Sequence, residues 1–258
     1  MKKTLASKSH VAVSYAEYGS EGGFPILVNH GLIASIDDFE LFDRLLKLGV
    51  RLVCLARPGY GESEPYEMQS IGEWADLVST VIDTLHLTQF DVLGMSSGAP
   101  YTYALGWRFP DQVRNIYIFS GIPALYEEEI LSHWPYPVTK DASIREMEAL
   151  AREIFFRDLS AQDLQRNDIQ DSMKNNCFGI ALDLKLRGRD WGFRLQDVKS
   201  RVFMQHSRED EAVPFTTAWL TSQRLPNCHL DIREHGEHFS PNALDDFIAT
   251  IIAGNFEP

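Results

Sequence analysis

Short apolar runs alternate along this chain with longer segments in which apolar residues recur at helical spacing. A short, continuous apolar run is typical of a β-strand that is buried on both faces. We therefore predict strands at residues 11–18, 26–28, 50–55, 90–95, 116–119, 202–204 and 229–233.

The periodic segments between these runs predict amphipathic helices, because one face of each is apolar and the other is polar. Ser35 with Asp38 resembles the capping box that starts a helix, and Ser70 with Glu73 has the same spacing. The predicted helices cover residues 35–48, 70–85, 97–109, 144–159, 161–173, 215–225 and 242–253.

This order of elements predicts an α/β fold with a mostly parallel central sheet and helices on both faces. Residues 122–190 break the alternation, because they are helical and charged and contain no clear strand pattern. The sheet needs the blocks on both sides of this stretch. We therefore predict one core, residues 1–121 and 191–258, interrupted by a helical cap at residues 122–190.

Composition narrows the class of protein without deciding its chemistry. Of the 258 residues, 44% are hydrophobic and 24% are charged, which suits a globular protein with a sizeable core. The formal net charge of −13 argues against nucleic-acid binding, because phosphate recognition needs clustered positive charge. We expect a small-molecule substrate instead.

The cysteines and the N-terminus predict the compartment. The chain has 3 cysteines, widely spaced, so we expect no disulfide framework, no metal site and a reducing environment. Residues 1–10 lack the apolar region of a signal peptide, and no window approaches the roughly 20 apolar residues of a spanning helix. These features favour a cytoplasmic protein with no membrane anchor and no cofactor, and they leave monomer and homodimer both open.

The most informative motif is Gly-Met-Ser-Ser-Gly at residues 94–98, which follows a predicted strand and precedes a predicted helix. In the G-x-S-x-G nucleophile elbow, the serine stands on a tight strand-to-helix turn and small neighbours avoid a clash. The free amides of the following helix then point at the reacting group. This context predicts Ser96 as a nucleophile; Ser97 is off the centre of the motif and would contribute its backbone N–H.

A serine hydroxyl needs a base to take its proton, and the base needs an acid to orient it. In this architecture the chain order is serine, acid, histidine, and the candidates follow the last two predicted strands. Asp210 is the favoured acid, with Glu209 and Glu211 as rivals in the same acidic run. His238 is the favoured base, with His235 as its rival.

Four further motifs resemble the alpha/beta-hydrolase superfamily, and the likeness covers nearly the whole chain. They are Asn-His-Gly at residues 29–31, Arg-Pro-Gly-Tyr-Gly-Glu-Ser at 57–63, Asp-Glu-Ala-Val-Pro at 210–214 and Gly-Glu-His-Phe at 236–239. The resemblance implies a Ser96, Asp210 and His238 triad, and it implies that the backbone N–H groups of Leu32 and Ser97 form an oxyanion hole.

Three positions depart from the family pattern. Ala56 stands where an aspartate is usual before the arginine loop, and Ser207 stands where glycine is common in the acid loop. Residues 32–34 are not the glycine run of some esterases, which argues against bulky tertiary-alcohol esters.

The resemblance implies a carboxylesterase-like serine hydrolase that acts on a small, largely apolar ester, thioester or lactone through an acyl-enzyme. A carbon–carbon bond hydrolase uses the same triad, and a weakly catalytic ligand receptor on the same fold is a further alternative. Within the predicted cap, Tyr126, Trp134 and Tyr136 are candidates to line the substrate pocket.

Overall fold

One sheet organises the molecule in this computed structural model, which describes residues 2–139 and 141–256. Within these residues the sheet has 8 strands in the order β1-β2-β4-β3-β5-β6-β7-β8. The strands are β1 (Lys2–Ala6), β2 (Ala12–Gly19), β3 (Pro25–Asn29), β4 (Arg51–Leu55), β5 (Phe90–Met95), β6 (Val113–Phe119), β7 (Arg201–Ser207) and β8 (Cys228–Arg233). The pairs β1–β2 and β2–β4 are antiparallel, and all other neighbours, from β4 to β8 in this order, are parallel. The predicted mostly parallel sheet is confirmed.

The helices cover both faces of the sheet. They are α1 (Asp43–Lys47), α2 (Glu73–Thr84), α3 (Ala99–Arg108), α4 (Glu128–Leu131), α5 (Ile144–Phe155), α6 (Asn167–Leu186), α7 (Phe215–Ser222) and α8 (Pro241–Phe256). Successive strand residues point to opposite faces, so Leu27 packs with Trp74 of α2 while Val28 joins the cluster that contains Phe247 of α8. This double burial explains why the central strands are continuous apolar runs.

Strand β1 was missing from the sequence-based prediction. Its residues include Lys2 and Lys3, and it pairs only with β2 at the edge of the sheet. An edge strand needs no apolar run, and lysine is a common edge residue because it discourages pairing with other chains. The polar sequence therefore carried no strand signal.

Two predicted helix starts were wrong. In the first, Ser35 and Asp38 form a turn in which the Ser35 N–H donates to the Asp38 carboxylate at 3.0 Å, and a 3-10 turn at Phe39–Phe42 precedes α1. In the second, α2 begins at Glu73, whose carboxylate accepts from the Gln69 N–H at 3.0 Å. The Ser35 and Asp38 side chains serve a turn ahead of the helix, a use that competes with capping.

Between β6 and β7 the described residues form helices and loops and no strand. Helix α6 runs further than the predicted 161–173 and contains a kink at residues 174–177, where Asn175, Asn176 and Cys177 have φ values of 49°, 64° and 64°. This kink interrupts the helical periodicity and hides the second half of the helix from a pattern search. That second half packs on the loop that follows β4, where Gly179 lies against the ring of Tyr60. The division into core and cap stays a prediction.

No helix within residues 2–139 and 141–256 is both long and apolar enough to cross a lipid bilayer.

Candidate active site

Ser96 stands at the tip of the turn between β5 and α3, with a φ of 48° in the left-handed region. The tight turn depends on two glycines. A Cβ on Gly94 would lie 2.3 Å from Thr102 Oγ1, and a Cβ on Gly98 would lie 2.1 Å from Asn29 O. Backbone strain of this kind persists only where the surroundings enforce it, and it is concentrated at functional sites.

The loops after β7 and β8 bring an acid and a histidine to this serine. His238 Nε2 lies 2.9 Å from Ser96 Oγ, and His238 Nδ1 lies 2.7 Å from Asp210 Oδ2. The Asp210 side chain is fully buried, whereas that of His238 is 24% exposed. The three residues, widely separated in the chain, thus form one continuous hydrogen-bonded line.

Asp210 is held in place by its own loop. Its Oδ1 accepts the backbone N–H groups of Ala212 at 3.0 Å and Val213 at 2.8 Å, which leaves Oδ2 for His238. Burial raises the pKa of this carboxyl, but the hydrogen bond from His238 and the backbone donor at Val213 outweigh it, and the net pKa is lowered. The carboxylate is therefore ionised and has one fixed orientation.

The rival acids and base lie outside this line. Glu209 pairs with His235 through a 2.9 Å contact between two exposed side chains. Glu211 contributes its backbone carbonyl to a 3.0 Å hydrogen bond from the Tyr136 hydroxyl. Among the alternatives that the sequence left open, His238 is the one that contacts Ser96 Oγ and Asp210 is the acid that contacts His238 in the bonds described.

Sequence reasoning missed His206, a second histidine beside Asp210. Its Nε2 lies 2.8 Å from Val213 O and 3.3 Å from Asp210 Oδ2, and its side chain is fully buried. Burial lowers the pKa of His206, so the ring is neutral and donates its single proton from Nε2 to these oxygens. A buried histidine at the end of an apolar strand was the available signal.

Ser207, the departure from glycine in the acid loop, joins the acid and base loops. Its hydroxyl donates to Gly236 O at 2.6 Å and accepts the Glu209 N–H at 3.2 Å. Gly236 lies in the loop that carries His238. The serine therefore fixes the spacing of the two loops that hold the acid and the histidine.

The predicted oxyanion loop follows β3 and runs beside the serine. A Cβ on Gly31 would lie 3.9 Å from Ser96 Cβ and 3.9 Å from Met95 O. Asn29 anchors the start of this loop, since its side chain accepts from Trp74 Nε1 at 2.9 Å and donates to Thr102 Oγ1 at 3.1 Å. The structure thus places Leu32 next to a residue that adjoins Ser96, and Ser97 follows the serine in the turn.

The three candidate pocket aromatics have other described contacts. Tyr126 lines a surface cavity of about 310 Å³ with Asp141, Gly188, Arg189, Asp190 and Arg194, a lining that does not include Ser96. Trp134 is buried and packs edge-on against Tyr136, with ring centroids 5.3 Å apart. Tyr136 reaches the acid loop through Glu211. Their place in a substrate pocket stays a prediction.

Comparison with known proteins agrees with this fold and shows the family. The family model described as "Alpha/beta hydrolase family" matches residues 26–250. A 2-hydroxymuconate semialdehyde hydrolase from a Pseudomonas species is 25% identical to this chain, with 90% of this chain and 89% of the relative covered.

Two solved structures share the fold. An esterase from Exiguobacterium antarcticum superimposes with a TM-score of 0.78 at 21% identity, with 98% of this chain and 99% of the esterase covered. An enol-lactonase from Burkholderia xenovorans superimposes with a TM-score of 0.74 at 16% identity, with 99% of this chain and all of the enol-lactonase (100%) covered. The chain belongs to the alpha/beta hydrolase family.

Proposed function

We propose that the protein is a serine hydrolase that cleaves a carbonyl compound through a covalent intermediate on Ser96. The observation that carries the proposal is the line of two short hydrogen bonds, 2.9 Å from Ser96 Oγ to His238 and 2.7 Å from His238 to Asp210. Nucleophile, base and orienting acid in mutual hydrogen-bond reach are the arrangement that activates a serine.

The chemistry follows from the roles of these atoms. His238 Nε2 takes the hydroxyl proton as Ser96 Oγ attacks the carbonyl carbon, and Asp210 stabilises the imidazolium that forms. The negative oxygen of the tetrahedral intermediate rests on the Leu32 and Ser97 N–H groups. His238 then gives its proton to the leaving group, and a water molecule activated by the same histidine releases the acyl group.

The substrate class is a small, largely apolar ester, thioester or lactone. Two apolar residues neighbour the triad along the backbone: Ile122 donates its N–H to Ser96 O at 3.0 Å, and Phe239 follows His238 directly. Residues 122–190 act as a cap over this site, and the Tyr136 bond to Glu211 ties that segment to the acid loop. Tyr126, Trp134 and Tyr136 are the candidates to contact the acyl or alcohol group.

The test is a panel of p-nitrophenyl esters of increasing acyl length, assayed with the wild type and Ser96→Ala. We expect measurable turnover that is highest for short acyl groups and is lost in Ser96→Ala at an unchanged melting temperature. A fluorophosphonate probe should label the wild type and not the variant. Equal turnover in the two proteins would contradict the proposal, and binding without product over long incubation would indicate a ligand receptor.

Carbon–carbon bond hydrolysis is the second candidate, because a relative that aligns over 90% of this chain is named a 2-hydroxymuconate semialdehyde hydrolase. The same triad serves this reaction class. Loss of the absorbance of 2-hydroxymuconate semialdehyde, measured beside the best ester, decides between the two. A kcat/KM for the semialdehyde above that for the ester would favour the carbon–carbon reaction.

A further inference from the structure

The carbonyl groups of the loop that begins at His30 accept hydrogen bonds from a buried arginine. Arg57 Nη1 donates to His30 O at 2.6 Å, and Arg57 Nη2 donates to Gly31 O at 2.8 Å. The Tyr60 hydroxyl lies 2.8 Å from Leu32 O. Three successive carbonyls of the loop therefore face one cluster of donors.

This arrangement fixes the direction of the amide that the proposed function needs. Gly31 C=O and Leu32 N–H belong to one peptide group, and in a planar trans peptide they point in opposite directions. Because Arg57 holds the carbonyl, the N–H of Leu32 is turned away from Arg57. Gly31 lies beside Ser96, so this peptide is at the position where an oxyanion donor has to stand.

Arg57 is in turn held by Asp183, a residue of helix α6. The carboxylate accepts from Arg57 Nη2 at 2.7 Å and from Arg57 Nε at 3.2 Å, a bidentate pair with side chains 1% and 4% exposed. It also accepts from the Tyr101 hydroxyl at 2.6 Å and lies 3.0 Å from the Tyr60 hydroxyl. Burial, followed by the charge of Asp183, raises the pKa of both tyrosines, so both hydroxyls keep their protons.

Asp183 supplies the charge that makes this cluster possible. A guanidinium so deeply buried needs a paired anion, because an isolated buried charge is very costly. The Tyr60 hydroxyl has a single hydrogen for two acceptors, Leu32 O and Asp183. Arg57 supplies the charged donors to His30 O and Gly31 O, and His30 Nδ1 also lies 2.8 Å from Gly31 O. Asp183 thus determines where the guanidinium stands, and the guanidinium determines where the loop carbonyls point.

We propose that Asp183, a residue of the 122–190 segment, is a positioning residue that orients the Leu32 N–H of the oxyanion hole through Arg57. This inference rests on the proposed function, because it assigns a role within the same reaction. It places part of the hole's support outside the sheet core, in the segment that also faces the substrate.

The test compares Asp183→Asn with a matched control, Asp91→Asn. Asp91 is also a buried carboxylate, at the start of β5 and so at the opposite end of that strand from Ser96, with Arg114 3.9 Å away. For Asp183→Asn we expect kcat on the best ester to fall by about 10²-fold, the loss typical of one oxyanion donor, with KM changed by less than about threefold. For Asp91→Asn we expect kcat within about threefold of the wild type at a similar loss of melting temperature.

A second readout does not depend on turnover. Phenylboronic acid forms a tetrahedral adduct with an active serine and places an oxygen in the oxyanion hole, so its affinity measured by calorimetry should fall in parallel with kcat. Tyr101→Phe removes one donor from Asp183 and leaves the loop contacts intact. It provides a milder variant, with an expected loss of less than about 10-fold, if Asp183→Asn does not fold.

The outcomes separate the two proposals. Wild-type kcat and boronate affinity in Asp183→Asn and Tyr101→Phe, together with an inactive Ser96→Ala, would overturn the role of Asp183 alone. Equal losses in Asp183→Asn and Asp91→Asn would also overturn it, since they would reflect general stability. Full turnover in Ser96→Ala would overturn the proposed function and this inference with it.

Discussion

Two buried clusters of this protein contain the same kinds of side chain in opposite settings. The first contains Asp210, His238 and the hydroxyl of Ser96. The second contains Asp183, His30 and the hydroxyls of two tyrosines, with Arg57 at its centre. In both, the aspartate is almost fully buried, with a side chain 0% exposed for Asp210 and 4% exposed for Asp183.

The histidines show the difference between the clusters. His238 is 24% exposed and bridges an acid and a hydroxyl, so its second nitrogen faces a group that can lose a proton. His30 is 4% exposed, lies 2.8 Å from Gly31 O through Nδ1 and accepts the Arg57 N–H at Nε2, so both its nitrogens are engaged by the backbone. Burial, helped by the charge of Arg57, lowers the pKa of His30 well below its ordinary value.

Residue type alone therefore does not assign a role to a buried aspartate or histidine. A carboxylate and a histidine can move a proton when one face of the histidine remains open to a substrate. The same pair fixes backbone when every donor and acceptor is already engaged inside the protein. Variants in the two clusters test this distinction.

The largest effect is expected for Asp210→Asn. The Asn side-chain oxygen would still accept from Ala212 and Val213, but its NH₂ group would face His238 Nδ1 and favour the wrong tautomer. In a triad of this type, such a change lowers kcat by about 10⁴-fold with the geometry intact. Steady-state kinetics on the best ester provides the measurement, and a loss smaller than about 10-fold would contradict the role of Asp210.

In the second cluster, around Arg57 and Asp183, the main effect is expected on stability. Arg57→Ala leaves the buried Asp183 carboxylate unpaired, and we expect the free energy of unfolding to fall by about 3–5 kcal/mol. The double variant Arg57→Met with Asp183→Leu removes both charges and should regain most of that loss, while turnover stays low because His30 O and Gly31 O have lost the guanidinium donors. Urea denaturation and ester kinetics on the same samples check both statements. A double variant with normal kcat would contradict the role of Arg57 in orienting the loop.

The pKa of His30 predicts a pH dependence of stability. Its folded pKa lies well below the ordinary value of 6.5, so the unfolded chain binds the proton more readily and stability falls as pH drops below 6.5. From pH 7.5 to 5.5 we expect the free energy of unfolding to decrease by about 1 kcal/mol more in the wild type than in His30→Gln.

His235 acts in the opposite sense over this range, because its pKa is raised by its hydrogen bond to Glu209. The difference between the two proteins is therefore the quantity to measure, by urea denaturation at each pH. An identical pH dependence in His30→Gln and the wild type would show that folding does not lower the pKa of His30.

The smallest effects are expected at the rival acids. Glu209→Gln removes the charge of the exposed pair with His235 and leaves an amide oxygen that can still accept the Gly236 N–H, and Glu211 uses its backbone carbonyl in the described bond. Glu209→Gln and Glu211→Gln should each keep kcat within about twofold of the wild type, since exposed pairs contribute little. A large loss in either would mean that the acid run offers His238 a second partner in solution.

Much of the fold and of the candidate site is encoded locally. The central strands are apolar runs because both faces of the sheet are covered, and β5 was predicted with the bounds Phe90–Met95 that the structure shows. The elbow at Ser96 needs small residues two positions before and after the serine. This requirement produces a short motif that can be recognised in the sequence. The candidate acid and histidine follow the last two strands in family order, so the resemblance alone selects Asp210 and His238.

Local patterns failed where a residue's surroundings come from elsewhere in the chain. Strand β1 is polar because it lies at the edge of the sheet and pairs with one neighbouring strand only. Ser35 and Ser70, which precede helices, share the side-chain chemistry of helix caps. The second half of α6 follows three residues in the left-handed region, and the helical periodicity of the sequence is interrupted there.

The sequence by itself determined the order of strands β2 to β8, the elbow and the set of candidates for the triad, because each depends on neighbouring residues or on a short motif. Only the tertiary structure decided that Asp183 pairs with Arg57, 126 residues away, and that His206 lies against Asp210. The physical reason is burial. The role of a charge depends on which partners surround it once water is removed, and the packing of the folded chain selects those partners.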